Sequence, residues 1–113
     1  MKAEKSFDDI GKEEFCGLVR HVDKQSRLCV PKEFRASLAL AEEDALRYTL
    51  FTDGVLIQSA QQINPEFYDT RHRIDRLGRV CIPADMRRAL GINKFDEVEV
   101  FLLRSSLFVR KKQ

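Results

Sequence analysis

Short stretches in which apolar and polar residues alternate recur along the chain, and this period of two predicts β-strands. Two polar turns separate such stretches in the C-terminal part, Arg76-Leu77-Gly78 and Arg104-Ser105-Ser106. A third turn, Thr52-Asp53-Gly54, separates residues 49–51 from residues 55–57. The other strands are predicted at residues 18–23, 71–75, 79–83, 95–103 and 107–110. The chain is therefore predicted to be mainly β.

A short helix is predicted between two residues with special backbone preferences. Pro83 favours the first turn, where its missing N–H costs nothing, and Gly91 can adopt the left-handed conformation that ends a helix. Asp85, near the start, interacts favourably with the helix dipole. Gly78 can likewise be left-handed at the end of its turn. The C-terminal part thus has the order strand, Gly turn, strand, helix, strand, strand.

The same order occurs twice, because residues 19–58 align without a gap with residues 71–110 at a constant offset of 52. Eight aligned positions are identical: Asp23/Asp75, Arg27/Arg79, Cys29/Cys81, Pro31/Pro83, Arg35/Arg87, Leu38/Leu90, Asp44/Asp96 and Leu50/Leu102. Such self-similarity is typical of one supersecondary unit used twice, each unit burying its apolar face against the other. We predict a polar N-terminal arm (1–15), a first repeat (16–58), a linker (59–70) and a second repeat (71–113).

The first repeat lacks two glycines of the second, since Ser26 replaces Gly78 and Ala39 replaces Gly91. A residue other than glycine at positive φ is strained by roughly 1 kcal/mol. The first repeat therefore either tolerates this strain or builds its turns differently.

Charge is distributed unevenly along a chain whose formal net charge is only +2. Residues 71–113 contain eleven Lys or Arg against five Asp or Glu, whereas residues 16–60 balance six against six. A basic half on a near-neutral chain suggests a polyanionic partner. No apolar run approaches the ~20 residues that span a membrane. The charged N-terminus also lacks an apolar signal core, so a cytoplasmic protein is expected.

The chemistry-bearing residues do not suggest an enzyme. Cys29 and Cys81 occupy matching positions in predicted strands and are expected to be small buried hydrophobes. Together with His21 and His72 they could form a zinc site, but no Cys-x-x-Cys or His-x-x-x-His spacing supports one. No convergent catalytic set is present, and we predict no catalytic residues, no metal and no cofactor.

Residues 71–92 resemble the signature of AbrB/SpoVT-type transition-state regulators, which belong with MazE-like and MraZ-like proteins. Residues 20–40 resemble the same signature less closely. The resemblance implies a swapped-hairpin β-barrel, in which two such units interlace and their arginines bind double-stranded DNA. We expect the two repeats to form one pseudo-dimeric barrel within the chain, or to exchange between two chains as a homodimer.

The resemblance also implies which side chains contact DNA. The strand, hinge and helix arginines of the family fall at Arg20, Arg27, Arg35, Arg79, Arg87 and Arg88, and the predicted DNA contacts also include Arg71 and Arg73, which flank the strand position of the second repeat. Each repeat departs once, with His72 at the strand position and Ala36 at the second helix position, so the second repeat is expected to contribute more. Guanidinium groups suit phosphate oxygens and guanine edges, which supports the assignment independently.

A structural role for these residues is the alternative. The arginines could form a solvated face or pair with Asp75 and Asp85. Asp23 and Asp75 are expected to order the hinge turns, by capping or by pairing with the following arginine. Five of the eight phenylalanines are expected mainly in the core, which argues against base stacking, and they are Phe34, Phe51, Phe95, Phe101 and Phe108.

The sequence thus predicts a DNA-binding transcription regulator whose operator and protein partners are unknown. An antitoxin similar to MazE ranks lower, because the sequence ends Val109-Arg110-Lys111-Lys112-Gln113 and not in a long acidic tail. The alternative from another class is a protein-interaction module that kept the barrel and lost DNA contact.

Overall fold

The computed structural model describes residues 17–60 and 72–112. These residues form short strands and two short helices, which turns and loops connect. The strands are β1 (Gly17–His21), β2 (Arg27–Cys29), β3 (Leu46–Leu50), β4 (Val55–Ser59), β5 (Arg79–Cys81), β6 (Glu97–Leu102) and β7 (Leu107–Lys111). The helices are α1 (Lys32–Ser37) and α2 (Ala84–Leu90). We call residues 17–60 the first half and residues 72–112 the second half. The predicted N-terminal arm and Arg71 lie outside the described residues.

The strands form two antiparallel sheets, and each sheet combines strands of both halves. The larger sheet has the order β1-β6-β7-β4-β3, and the smaller one pairs β2 with β5. β1 of the first half thus pairs with β6 of the second, and β4 pairs with β7. The predicted fold class is confirmed, since this mainly β arrangement with two short helices is consistent with the swapped-hairpin barrel.

The interlacing of the halves follows a regular register. Leu28 lies opposite Val80 in the β2–β5 pairing, and Leu56 lies opposite Phe108 in the β4–β7 pairing. Both pairs join residues that are 52 positions apart, which is the offset of the sequence alignment. Equivalent strands of the two halves therefore pair with each other, and an approximate two-fold axis relates the two halves. A duplication as the origin of this arrangement stays a prediction.

Both halves contribute to one main core. Leu28 and Val30 from the first half, and Val80 and Ile82 from the second, are at most 1% exposed. These positions are two residues apart, so their side chains point to the same face of the β2–β5 ladder. A second, smaller cluster contains Phe51, Phe101, Leu103 and Phe108.

Both helices begin after a proline, and a left-handed residue lies directly after α2 and one residue further on after α1. Pro83 has φ −55° and directly precedes α2, so it stands just before the helix and not within the first turn. Gly91 follows α2 with φ 68°, and Ala39 follows α1 with φ 54°. Ser26 has φ 65° where Gly78 has φ 78°. The first half thus builds the same turns and tolerates the strain.

Relief of this strain at one helix end should stabilise the protein. We expect Ala39→Gly to raise the free energy of unfolding by about 1 kcal/mol, because glycine reaches positive φ without a Cβ clash. Gly91→Ala is the matched reverse change, and a Cβ at Gly91 would meet nothing within 4 Å. Its expected loss of about 1 kcal/mol therefore reports backbone strain with no contribution from a steric clash. Urea unfolding of both variants tests this, and two values equal to that of the unchanged chain would contradict it.

Phe95 departs from its predicted position in a strand and in the core. It precedes β6, has φ 67° and is 67% exposed. The cause is a tight turn, in which the Asp96 carboxylate accepts the N–H of Asn93 and the Asp96 N–H bonds to the Asn93 carbonyl. The Phe95 N–H then donates to Val22 O, which turns the side chain outward.

Two predicted boundaries also differ from the structure. Within the predicted strand at residues 71–75, the described residues form one isolated bridge, between Arg73 and Ala45. The predicted linker begins too early, because Ser59 ends β4 and Ala60 is buried. The Ala60 N–H donates to Ala45 O, so this residue belongs to the barrel.

Candidate nucleic-acid interface

The smaller sheet brings the two hinge turns, residues 24–26 and 76–78, to the two ends of one ladder. The Val30 N–H donates to Gly78 O, and the Ile82 N–H donates to Ser26 O. The end of each half's strand is thus bonded to the hinge turn of the other half. We define the hinge surface as residues 23–27, 29, 75–79 and 81 together with Arg35 and Arg87.

In each hinge turn an aspartate orders the backbone and holds the following arginine. The Asp23 carboxylate accepts the backbone N–H groups of Gln25 and Arg27, at 2.8 and 2.9 Å, and the Arg27 Nε at 3.1 Å. Asp75 repeats the pattern with the N–H groups of Leu77 and Arg79, and its distance to the Arg79 Nε is 2.7 Å. The predicted role of both aspartates in ordering the hinges is confirmed.

The charged form of both aspartates is favoured by these bonds. Partial burial acts to raise the pKa of Asp23, but the N–H groups of Arg27 and Gln25 and the Arg27 guanidinium outweigh it and hold the pKa below its ordinary value of 3.8. The pKa of Asp75 is lowered against the same effect of burial by the N–H and guanidinium of Arg79 and the N–H of Leu77. Both hinges are therefore built around ionised carboxylates.

Acid should weaken the hinges. Because both folded-state pKa values lie below the unfolded value, this stabilisation is complete above about pH 4 and is lost as pH falls through the folded values. We expect Asp23→Asn with Asp75→Asn to cost about 1 kcal/mol per hinge at neutral pH, from the weakened hydrogen bonds. The melting temperature of the double variant should then fall less on acidification to about pH 3 than that of the unchanged chain. If the melting temperatures of the two proteins fell by the same amount on acidification, the stability of the hinges would not depend on these charges.

The helix arginines reach the ends of the same ladder. The Arg35 Nε donates to Val30 O at 3.2 Å, and the Arg87 Nε donates to Ile82 O at 2.9 Å. Arg35 crosses to the other half's hinge, since a Cβ at Gly78 would lie 2.6 Å from its Cζ. A side chain at Gly78 would therefore combine the strain of the positive φ with a shift of the Arg35 guanidinium, which is the mobile end of that side chain.

The other predicted arginines lie apart from this arrangement or at its margin. Arg20 Nη1 donates to Val19 O, and Arg73 Nη1 donates to Glu43 O. Within the described part of the chain, neither makes a hydrogen bond or ion pair to the hinge surface. Arg88 is exposed on α2, next to Arg87.

His72, which occupies the strand-arginine position of the second half, takes part in packing. Its ring lies edge-on to Tyr48, with centroids 5.2 Å apart. The Tyr48 hydroxyl donates to Cys81 O at 2.7 Å, which ties β3 to β5, and burial raises the pKa of Tyr48 above its usual range. This departure from the resemblance therefore has a structural explanation.

The two strand cysteines were predicted to be buried, and this is wrong, because Cys29 and Cys81 are both exposed. Leu28 and Val80 point into the core, so their neighbours on each strand must point outward. The alternation of Leu28 with Val30, and of Val80 with Ile82, is the signal in the sequence that would have revealed it. The outward side chains of the ladder are Arg27, Cys29, Arg79 and Cys81.

The hinge surface is strongly basic. It contains the basic residues Lys24, Arg27, Arg35, Arg76, Arg79 and Arg87. Against these six it has two acidic residues, Asp23 and Asp75. Arg27 lies 4.0 Å from the carboxylate of Asp75 in addition to its own partner, so charges of the two hinges also meet. The net positive charge is concentrated on one ladder and its two turns.

Residues 17–60 and 72–112 contain no group of three or more His, Cys, Asp or Glu side chains that could hold a metal ion. No helix among them is long and apolar enough to cross a membrane. A cleft of about 720 Å³ is lined by residues of both charges, among them Asp53, Glu99 and Lys112, and includes no residue of the hinge surface.

A comparison with known protein families found a match for one half of the chain. Residues 71–113 match the family model described as antidote-toxin recognition MazE, bacterial antitoxin. This half is therefore similar to the AbrB/MazE-like swapped-hairpin domains. The first half lies outside the match, and a search of curated proteins found none that matches the chain.

Proposed function

We propose that the chain is a DNA-binding transcription regulator that contacts duplex DNA through the hinge surface. The observation that carries the proposal is the excess of six basic over two acidic residues on this surface, arranged about an approximate two-fold axis. Duplex DNA is a dense polyanion, and its two backbones are themselves related by two-fold symmetry. The two matching hinges can therefore contact equivalent phosphates on the two DNA strands.

The proposal assigns Arg27 and Arg79 to phosphate contact. Each is held through its Nε by an aspartate, at 3.1 and 2.7 Å, and each side chain is 29% exposed. A guanidinium has five N–H donors, so the bond through Nε leaves Nη donors for a ligand, and in Arg27 the Nη1 atom also lies 4.0 Å from Asp75 Oδ2. An arginine that is already oriented loses less side-chain entropy on binding.

Arg35 and Arg87 extend this contact surface beyond the ends of the ladder. Both use Nε to bond a backbone carbonyl, and both are half-buried. The exposed side chains of Lys24, Arg76 and Arg88 would add sequence-independent attraction. Because these contacts address backbone phosphates, we propose that selectivity depends largely on the shape and deformability of the DNA.

Binding to duplex DNA should be sensitive to salt. If two arginines of each hinge region contact phosphates, the logarithm of affinity should fall with the logarithm of salt concentration at a slope of about −4. Fluorescence anisotropy on a generic duplex at three salt concentrations measures this slope. Arg79→Ala should reduce its magnitude by about 1.

The control for this experiment is Arg47→Ala. Arg47 is exposed on β3 and is not part of the hinge surface, so its loss removes the same charge elsewhere. We expect the slope to be nearly unchanged in this variant. A folded protein that does not bind duplex DNA even at low salt would refute the proposed function.

An antitoxin is the second candidate, and the family description of the match to residues 71–113 favours it. Such a protein would bind a toxin, and DNA contact by the barrel is compatible with that role. Failure to bind DNA by a protein with cooperative thermal unfolding would favour this candidate or a protein-interaction module. DNA binding that depends on Arg79 would favour the regulator.

A further inference from the structure

Two thiols and two guanidiniums alternate on the outer face of the β2–β5 ladder. Arg27 is paired with Cys81, and Cys29 is paired with Arg79. The flanking bonds, from Val30 N–H to Gly78 O and from Ile82 N–H to Ser26 O, show that these are non-hydrogen-bonded pairs, whose side chains approach most closely. Each thiol therefore lies beside an arginine of the other half.

Each thiol also lies over the hinge turn of the other half. The Cys29 Sγ is 3.9 Å from Leu77 O, and the Cys81 Sγ is 4.0 Å from Gln25 O. Both cysteines are free and exposed. A group attached to either sulfur must therefore occupy space directly above the hinge surface.

We propose that Cys29 and Cys81 form a paired modification site that takes a carboxylate-bearing disulfide of low molecular mass, and that the adduct prevents DNA binding. The guanidiniums of Arg27 and Arg79 would attract the carboxylates of the incoming molecule. The inference about DNA rests on the proposed function. The inference about the modification rests on the thiol–guanidinium pairs alone.

The reaction is thiol–disulfide exchange. The thiolate sulfur of Cys29 or Cys81 attacks one sulfur of the small disulfide, a new S–S bond forms, and the old S–S bond breaks. The released half leaves as a thiolate and takes up the proton that the cysteine lost. The cysteine is oxidised, the released half is reduced, and excess thiol reverses the reaction.

A bond between the two cysteines themselves is disfavoured by the register. Cys29 and Cys81 are diagonal neighbours, and diagonal positions on such a ladder are roughly 7–8 Å apart. Disulfides usually span Cα distances of about 4.4–6.8 Å, so closing one would require the strands to move. We therefore expect each cysteine to form a separate mixed disulfide with a small molecule.

The adduct would weaken DNA binding through its negative charge as well as through its size. A glutathionyl group has a net negative charge, and beside Arg79 or Arg27 it would compete with a phosphate for the same guanidinium. We expect a loss of about tenfold or more in affinity for duplex DNA at low salt. An adduct with a positive charge at the same sulfur should weaken binding much less.

The test treats the reduced full-length chain with glutathione disulfide or with cystamine, which leaves a small cationic adduct. Peptide mapping by mass spectrometry locates the adducts, and anisotropy measures affinity for a duplex. The expected result is adducts at Cys29 and Cys81, faster reaction with glutathione disulfide than with cystamine, and DNA binding lost only with the anionic adduct. Dithiothreitol should restore binding.

The matched control is Cys29→Ser with Cys81→Ser, which leaves Cys16 as the remaining thiol. Its DNA affinity should be the same before and after treatment. The inference is overturned if Cys29 and Cys81 stay unmodified, if both disulfides give the same loss, or if the adducts leave affinity unchanged. If the reduced chain does not bind DNA, the proposed function fails, while adduct mapping and the two reaction rates still decide the modification site separately.

Discussion

Residues 16–60 produced alone should be unfolded or aggregated. In the described structure β1 pairs with β6, β2 pairs with β5, and β4 lies between β3 and β7. The isolated fragment would keep the β3–β4 hairpin and lose the other pairings, and a two-stranded hairpin alone is marginally stable at best. Circular dichroism melting should show no cooperative transition for this fragment.

The fragment of residues 65–113 is expected to behave differently. It has glycine at two of its left-handed positions, Gly78 and Gly91, and its elements can pair with those of a second copy about the same axis. We therefore expect a folded homodimer, detected by sedimentation. Mixing the two fragments should also restore cooperative unfolding, because each supplies strands that the other lacks. A monomeric fragment 16–60 that melts cooperatively would contradict the shared core.

The double variant Arg79→Ala with Arg87→Ala should weaken binding to duplex DNA by about 100-fold at low salt, and Arg27→Ala with Arg35→Ala by about tenfold. The two pairs have matching hydrogen bonds, so hinge geometry does not distinguish them. The difference is expected from the surrounding charge, because the second half is the basic one. Arg88 also adjoins Arg87, whereas Ala36 adjoins Arg35.

Thermal unfolding must accompany these measurements, since every one of the four arginines also bonds to the protein through Nε. The Arg47→Ala variant, whose hinge surface is unchanged, is the control and shows how much DNA affinity is lost when a positive charge is removed elsewhere. Equal losses of affinity in the two double variants, at equal melting temperatures, would show that the halves contribute alike. That outcome would keep the DNA-binding proposal and refute the asymmetry.

Local features of the fold could be predicted from the sequence because they depend on neighbouring residues. The period of two indicated the strands, and Pro83 with Gly91 marked the ends of α2. The aspartates were recognised as hinge residues because their partners lie two and four positions along the chain. The offset of 52 also pointed to two similar units that share one core.

The tertiary structure decided which face of each strand is covered, and this depends on residues far apart in the sequence. Cys29 and Cys81 are exposed because Leu28 and Val80 meet across the ladder and enter the core. The turn that precedes β6 places Phe95 outside, since its N–H bonds to Val22 O of the other half. Arg35 reaches Gly78 only after the halves interlace. The sequence by itself predicted two similar units and their turns, whereas pairing between the halves determined which side chains form the hinge surface, because burial is a property of the assembled barrel.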